Sequence, residues 1–448
     1  MTQSRLIDLA QRIVGWAGPG EELEAFVSWS RTTSIRAYRG EVESLSSAEP
    51  AGVGIRIVSG GRQGFASAGT LDETVLKETL DEARDNATFA APDEFVALAT
   101  PDGVDPPHLS ICRDEVLSIP TADKIDLAIE LERRALSIDP CVTGVRVAAY
   151  GDAVGEEAIA STTGLSAWSR LSSASSSVQL LAERDGETQI GSGRSIGRHP
   201  DELDLDAAAS EAAGRAIRLL GASKPASQRV TAVLDPEVSA AFLSILSSTL
   251  SGEAVLKGRS LFAGRVGHAV AAPAVTLVDD PTDAGSPGAE PYDGEGLARR
   301  RNVLIEAGTL QGYLYNTYAA RRAGTVSTAS AARGYASTPA IGAPALRLLP
   351  GTKGPEELMA ELGEGIYVQD VSGLHSGVNA VSGDFSVGAT GLMITGGTFG
   401  APFREATIAS TLQRMLLEVV AVGSDLRWFG RGAAGLTLVI ADVSLGGT

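Results

Sequence analysis

Apolar positions recur along this chain with two periods, and the switches between them lay out the expected elements. Leu6, Leu9, Ile13, Val14 and Ala17 fall at helical spacing, predicting an amphipathic helix over 4–17 that Gly18, Pro19 and Gly20 end. Strand-like runs follow over 24–30, 34–46 and 52–59, and the last continues through Gly60-Gly61 into a further strand, a hairpin signal. Thr70 and Glu73 have the spacing of a capping box, so a helix is expected from there to about residue 86. Residues 91–120, rich in proline, predict a long surface connection. A helix over 121–137 comes next, with Glu130 and Arg134 at i,i+4 on its outer side. Strands of a meander over 142–150, 157–162 and 166–183 and an alanine-rich helix over 203–220 complete this half.

The short, small and polar stretch GASKPASQ at 221–228 marks a domain boundary. It predicts an N-terminal domain over 1–222, a linker over 223–228 and a C-terminal domain over 229–448. A strand over 229–234 opens the second domain. Asp235-Pro236 then reads as an N-cap with proline at the first helical position, starting a helix to about 251 with Ala241, Phe242, Ile245, Leu246 and Leu250 as its apolar stripe. A hairpin over 302–315 turns at Ala307-Gly308, a short helix covers 356–362, and a strand at 391–395 turns at Gly396-Gly397. Ile408, Leu412, Met415, Leu416 and Val419 predict one more helix, with Gly423 as its stop. The fold class is α+β: helices with antiparallel sheet first, then a β-rich domain with the helices after Asp235 and around Ile408 packed on it.

Composition narrows the function classes. At 448 residues the chain fits two domains, with three as the alternative, and 44% hydrophobic with 21% charged residues is ordinary for a soluble globular protein. A net charge of −18 argues against general nucleic-acid binding, which runs on lysine and arginine neutralising phosphates. Cys112 and Cys141 are too few for a disulfide framework and read as reduced thiols. Residues 1–17 are broken by Arg5, Asp8 and Arg12, so no secretory apolar segment is seen, and no run approaches the ~20 apolar residues of a membrane helix. No membrane span and a cytoplasmic location are expected.

Candidate chemistry is sparse. Gly52-x-Gly54 lacks the third glycine of a dinucleotide fingerprint and leads into a strand instead of a helix. There is no G-x-S-x-G elbow. His108, His199, His268 and His375 show no metal-ligand spacing. Ser172, Ser173, Ser175, Ser176 and Ser177 read as small polar residues along a strand or loop. Asp279, Asp280, Asp283, Glu290, Asp293 and Glu295 do not have EF-hand spacing and read as a solvated acidic loop. The stretch 373–400 is dense in glycine, as tight turns or close backbone approach require, and holds His375, Asn379 and Asp384.

That last stretch carries a family resemblance. Gly377, Asn379, Gly383, Asp384, Phe385, Ser386, Gly388, Ala389 and Gly391 match G-x-N-x-x-[ST]-G-D-F-S-x-G-A-x-G. Pro402, Glu405, Thr407, Ile408, Ala409, Leu412, Gly423, Asp425 and Leu426 match the segment that follows, while Phe403 and Ser410 depart from its usual Val and Asn. The pattern resembles the TldD/PmbA family, in its PmbA (TldE) branch. In the TldD branch the helix after the first C-domain strand carries H-E-x-x-x-H, two zinc-binding histidines with a glutamate base. By position Ser244, Ile245 and Thr249 stand there in this chain, and both cysteines lie far from the cysteine ligand of that branch.

The resemblance therefore implies a non-catalytic subunit with no metal or cofactor of its own. Its partner would be a TldD-like H-E-x-x-x-H subunit, which supplies the zinc, in a heterodimeric metalloprotease that cleaves unfolded or small peptides. A homodimer of the chain in isolation stays open. His375, Gly377, Asn379, Asp384 and Phe385 are the expected peptide-guiding residues, acting through exposed backbone by β-augmentation. Tyr292, Asp293, Glu295 and Arg300, similar to the branch's F-D-x-E-G segment, are expected to be structural or subunit-facing. Two alternatives remain open: a stand-alone homodimeric hydrolase with a divergent site near His375 and the acidic loop, and a scaffold or binding protein without a proteolytic role.

Overall fold

The computed structural model describes residues 5–448; Ser4, the first residue of the predicted opening helix, lies outside the described residues. The helix itself is α1 (Arg5–Val14), with Leu6, Leu9 and Ile13 buried as the spacing requires. β1 (Glu22–Tyr38) is one strand where two were expected. Its polar middle stays extended because β5 pairs with it from Glu24↔Ser161 to Ala37↔Ala148, a continuity that local alternation does not show. A tight turn at Arg39 and Gly40, both left-handed (φ 56° and 76°), leads to the exposed β2 (Glu41–Ala48). β3 (Ala51–Ser59) and β4 (Arg62–Ala68) form the predicted hairpin.

In α2 (Glu73–Phe89) the capping box is replaced by an aspartate cap: Asp72 Oδ1 accepts from the amides of Thr74 (3.0 Å) and Val75 (3.3 Å), and Thr70 Oγ1 instead accepts from Asp72 N–H. The 91–120 connection holds one 3₁₀ turn at Asp114–Ser118 and is pinned by buried Leu98, Ile111 and Val116. α3 (Thr121–Ser137) carries the expected Glu130–Arg134 pair at 2.7 Å. β5 (Val142–Ser161) is again one strand in place of two. β6 (Ser166–Arg184) contains the serine run, and β7 (Glu187–Gly197) and α4 (Leu205–Ile217) follow. These strands form one seven-stranded sheet in the order β4-β3-β1-β5-β6-β7, with β2 on β1. All four helices pack on one of its faces.

β8 (Gln228–Leu234) opens a separate sheet system. α5 (Pro236–Thr249) starts as predicted, with Asp235 as N-cap accepting from Glu237 N–H at 2.9 Å. α6 (Gly252–Leu256) and β9 (Leu277–Asp279) lead to the hairpin β10 (Asn302–Glu306) and β11 (Thr309–Leu310), which turns at Ala307-Gly308. Next come α7 (Thr317–Ala323), β12 (Ala331–Ala332), β13 (Ala340–Ile341), β14 (Ala345–Leu348) and α8 (Pro355–Leu362). The remaining elements are β15 (Gly365–Ser372), α9 (Leu374–Gly377), β16 (Asp384–Thr395), β17 (Thr398–Thr411), α10 (Leu412–Leu417), β18 (Val419–Val422), β19 (Gly432–Ala433) and β20 (Leu438–Gly446). A six-stranded sheet, β17-β16-β15-β8-β20-β18, and a five-stranded one, β11-β10-β9-β14-β19, share one large core with α5 in it.

The helix expected around Ile408 is corrected. Ile408 belongs to β17, opposite Val387, and the ladder with β16 runs to Thr411. Only Leu412–Leu417 is helical, capped by Thr411, and Val419 begins the next strand. The five apolar residues are all buried, but on three elements. The β-branched run Thr407-Ile408 and Thr411 favours the strand. Gly423 ends no helix; its amide donates to Thr437 O at 2.7 Å.

Candidate functional site

The face of the seven-stranded sheet opposite its helices carries Glu24, Phe26, Ser28 and Ser30 along β1, since every second residue shares a face. Register places Arg56, Gly54 and Gly52 of β3 beside the first three, and Ile159, Glu157 and Gly155 of β5 beside the last three. The small residues leave a trough, and the second domain fills part of it. The Tyr335 ring lies over Gly52, where a Cβ would come within 2.5 Å of it, and Arg333 Nη2 is 3.2 Å from where a Gly54 Cβ would sit. The glycine pair that imitates a phosphate loop is a seat for Tyr335 and Arg333.

Around that seat a buried charge cluster joins the two halves of the chain. Glu24 accepts from Arg56 at 3.1 and 2.8 Å and from Arg333 of the second domain at 2.5 Å. Burial works against its charge, but the two guanidinium groups outweigh this and hold its pKa below the usual carboxylate range. Arg333 also stacks on Phe26, 4.9 Å from the ring centre. Glu295 lies 3.6 Å from Arg56 and accepts from Thr317 N–H at 2.8 Å; burial pushes its pKa up to about 7, with Arg56 opposing.

The acidic stretch is thus not a solvated loop. Asp279, Asp280, Glu290, Asp293 and Glu295 are all buried. The stretch folds onto the first domain and onto its own arginines, where water is excluded and each carboxylate must find internal partners. Asp293 accepts from the amides of Glu295, Leu297 and Ala331 at 2.9–3.0 Å. Glu290 pairs with Arg299 and, at 2.6 Å, with Arg431. Asp279 accepts from Ala345 N–H at 2.9 Å, and burial raises its pKa to about 6.

Beside this cluster lies a cavity of about 690 Å³, floored by β1, β5 and β6 and roofed by 290–299, 331–333, 342–344 and 431–432. Glu157 stands on the floor. It is reached by solvent and makes no hydrogen bond or ion pair among the described residues. Protein atoms surround it, and this burial, together with Glu290, raises its pKa to about 7 against the pull of Arg431, Arg299 and Arg333. Nothing in the local sequence marks Glu24, Arg56, Glu157 or Arg333; the nearest signal is the Gly52-x-Gly54 pair, which calls for a close neighbour.

The expected site residues fall in two places. Tyr292 packs with Phe26, Ile159 and Ala167, Asp293 and Glu295 are in the cluster just described, and Arg300 pairs with Asp102; all face this chain's own first domain. His375, on α9, is exposed. Asn379 Oδ1 accepts from the amides of Val381 (2.9 Å) and Ser382 (3.2 Å), which builds the turn, and Asp384 accepts from Ser382 Oγ at 2.6 Å. Gly377 sits against Ser386 O. Phe385 is core, its ring edge-on to Phe242 of α5 at 6.3 Å.

That contact brings the glycine-rich segment beside the helix where the resemblance puts a zinc motif. The side chains there do not fit the metal. Ser244 is exposed, Ile245 has no donor atom, and Thr249 is buried with its hydroxyl given to Leu246 O at 2.7 Å. Among the described residues no three His, Cys, Asp or Glu side chains group as metal ligands. Cys112 and Cys141 are free and half-buried. No helix among the described residues is long and apolar enough to cross a membrane.

Comparison with known proteins agrees with the fold and the motif. The PmbA/TldA metallopeptidase models match in three pieces: domain 1 over 23–87, the central domain over 114–220 and the C-terminal domain over 227–447. The chain belongs to the PmbA/TldD metallopeptidase family. It is 25% identical to the metalloprotease PmbA of Escherichia coli O157:H7, over 92% of this chain and 89% of that one. It is 28% identical to the metalloprotease TldD homolog of Haemophilus influenzae, over 89% and 87%. TldE from Thermococcus kodakarensis has the same fold, with a TM-score of 0.89 at 23% identity, covering 99% of each chain. A Bacteroides thetaiotaomicron protein described as a modulator of DNA gyrase superposes with a TM-score of 0.89 at 25% identity, over 100% of both chains.

Proposed function

We propose that this chain is the metal-free, TldE-like subunit of a two-component metalloprotease acting on unfolded or small peptides. One observation carries the reading: in α5 the three positions that would supply zinc ligands and base hold Ser244, Ile245 and a Thr249 whose hydroxyl is already committed to Leu246 O. Relatives named for both branches match at similar identity, so the branch rests on these side chains and on the Gly377–Gly391 pattern. In this reading the partner's H-E-x-x-x-H helix supplies zinc and activated water. This chain encloses the chamber and guides peptide along the segment around α9, where His375 is exposed and Asn379 and Asp384 shape the turn.

The test is to purify the tagged chain from its own cells, with metal analysis, and to assay peptide cleavage alone and after mixing with the co-purifying protein. The expected result is an H-E-x-x-x-H protein in equal amount that brings the zinc, with cleavage only in the mixture. A lone chain that binds metal stoichiometrically and cleaves peptide by itself would replace this reading with the stand-alone hydrolase.

A further inference from the structure

The cavity between the sheet and the second domain contains a carboxylate that makes no hydrogen bond or ion pair among the described residues. Glu24, Glu290, Asp293 and Glu295 each have an arginine or an amide as partner. Glu157, on the floor of the same cavity, has none among the described residues. Water reaches Glu157, but a carboxylate on a cavity floor that no hydrogen bond or ion pair engages attracts a cation that enters. Each arginine on the cavity wall already has a carboxylate: Arg431 and Arg299 share Glu290, and Arg333 has Glu24. The vacant role is therefore that of a cation.

Its shape follows from the sheet register. Ser28 on β1 and Ser169 on β6 stand directly opposite Glu157 on the two neighbouring strands, so their hydroxyls lie on the same face on either side of its side chain. One carboxylate between two hydroxyls matches the three N–H donors of a primary ammonium. A divalent metal would need more anionic ligands. Gly155, which is opposite Ser30, keeps the floor open beyond Glu157, and the Tyr292 ring lines the same space. A volume of about 690 Å³ exceeds what a bare amine fills and suits an ammonium carried on a larger body.

We propose that this cavity binds a primary ammonium group, the free amino end of a short peptide, received by the Glu157 carboxylate and the hydroxyls of Ser28 and Ser169. The choice of a peptide as carrier rests on the proposed function; the ammonium itself does not.

Calorimetry on the purified full chain near neutral pH tests it, with trialanine, N-acetyl-trialanine and Nα-acetyl-lysine amide as probes. Trialanine is expected to bind, and acetylation, which removes the charge and two donors, to weaken it roughly tenfold or more. Glu157→Gln should weaken trialanine by a similar factor. The double variant Ser28→Ala/Ser169→Ala, which leaves the charge in place, should weaken it by a smaller one. Circular dichroism and the thermal midpoint of each variant check that it is folded. Binding of acetyl-lysine amide in preference to trialanine would keep the ammonium site and overturn the peptide terminus as its occupant. Equal binding of the free and acetylated peptides, an unchanged affinity in Glu157→Gln, or no binding of either amine at millimolar concentration would overturn the proposal. A two-component mixture that still cleaves peptides in that last case would leave the proposed function standing.

Discussion

Two polar segments of the second domain, each with three glycines, meet opposite fates: 279–295, with six acidic residues, and 373–384, with one. The first is buried: its carboxylates accept from backbone amides or pair with arginines, and Glu295 reaches Arg56 of the first domain. The second stays at the surface, where the side chains of Asn379 and Asp384 bond within their own turn. The difference is the supply of partners. Arg56, Arg299, Arg347 and Arg431 converge on the first segment from four places in the chain, and the trough on the sheet gives it somewhere to go. Nothing comparable converges on the second, so water remains its partner.

The sharpest way to break the contrast is Glu24→Ala. It leaves Arg333 with no carboxylate and Arg56 with Glu295 alone. Removing one partner of a buried ion pair costs about 3–5 kcal/mol, and urea unfolding should show that loss in the transition that includes the domain contact. A loss below about 1 kcal/mol, the range of an exposed pair, would mean that the cluster is solvated.

A smaller and pH-dependent effect is expected from Glu157→Gln. The folded-state pKa of Glu157, about 7, lies above the unfolded value near 4.5, so the native chain holds a proton more tightly than the unfolded chain. The penalty is absent below pH 4.5, grows as pH rises through 7 and is complete above it. The amide should therefore raise the thermal midpoint at pH 8 and leave it unchanged at pH 4.5. Water reaches the side chain, which keeps the gain to about 1 kcal/mol or less. A midpoint difference independent of pH would show that Glu157 does not titrate in this range.

The smallest effect belongs to the exposed segment. Asn379→Ala removes the acceptor for the Val381 and Ser382 amides, a loss of about 0.5–1.5 kcal/mol confined to the turn. Hydrogen exchange at those two amides should accelerate while the global midpoint moves little. A global loss as large as that of Glu24→Ala would erase the distinction between the segments.

Local pattern was enough for much of this molecule. The helix stripe of α1, the Asp235-Pro236 start of α5, the hairpin turns at Gly60-Gly61 and Ala307-Gly308, and the motif from Gly377 to Leu426 that marks the family are all written in neighbouring residues, because periodicity, caps and turns are short-range physics. The lengths of β1 and β5 and the strand identity of Ile408 were not, since each depends on a ladder partner far away in the chain. The burial of the acidic segment, the seat of Tyr335 over Gly52, and the isolation of Glu157 were decided only by the packing of the two halves against each other. A carboxylate has the same letter in the sequence whether it ends in water, against an arginine or alone in a cavity, and the free energy that separates those outcomes comes from groups the chain brings together only when folded.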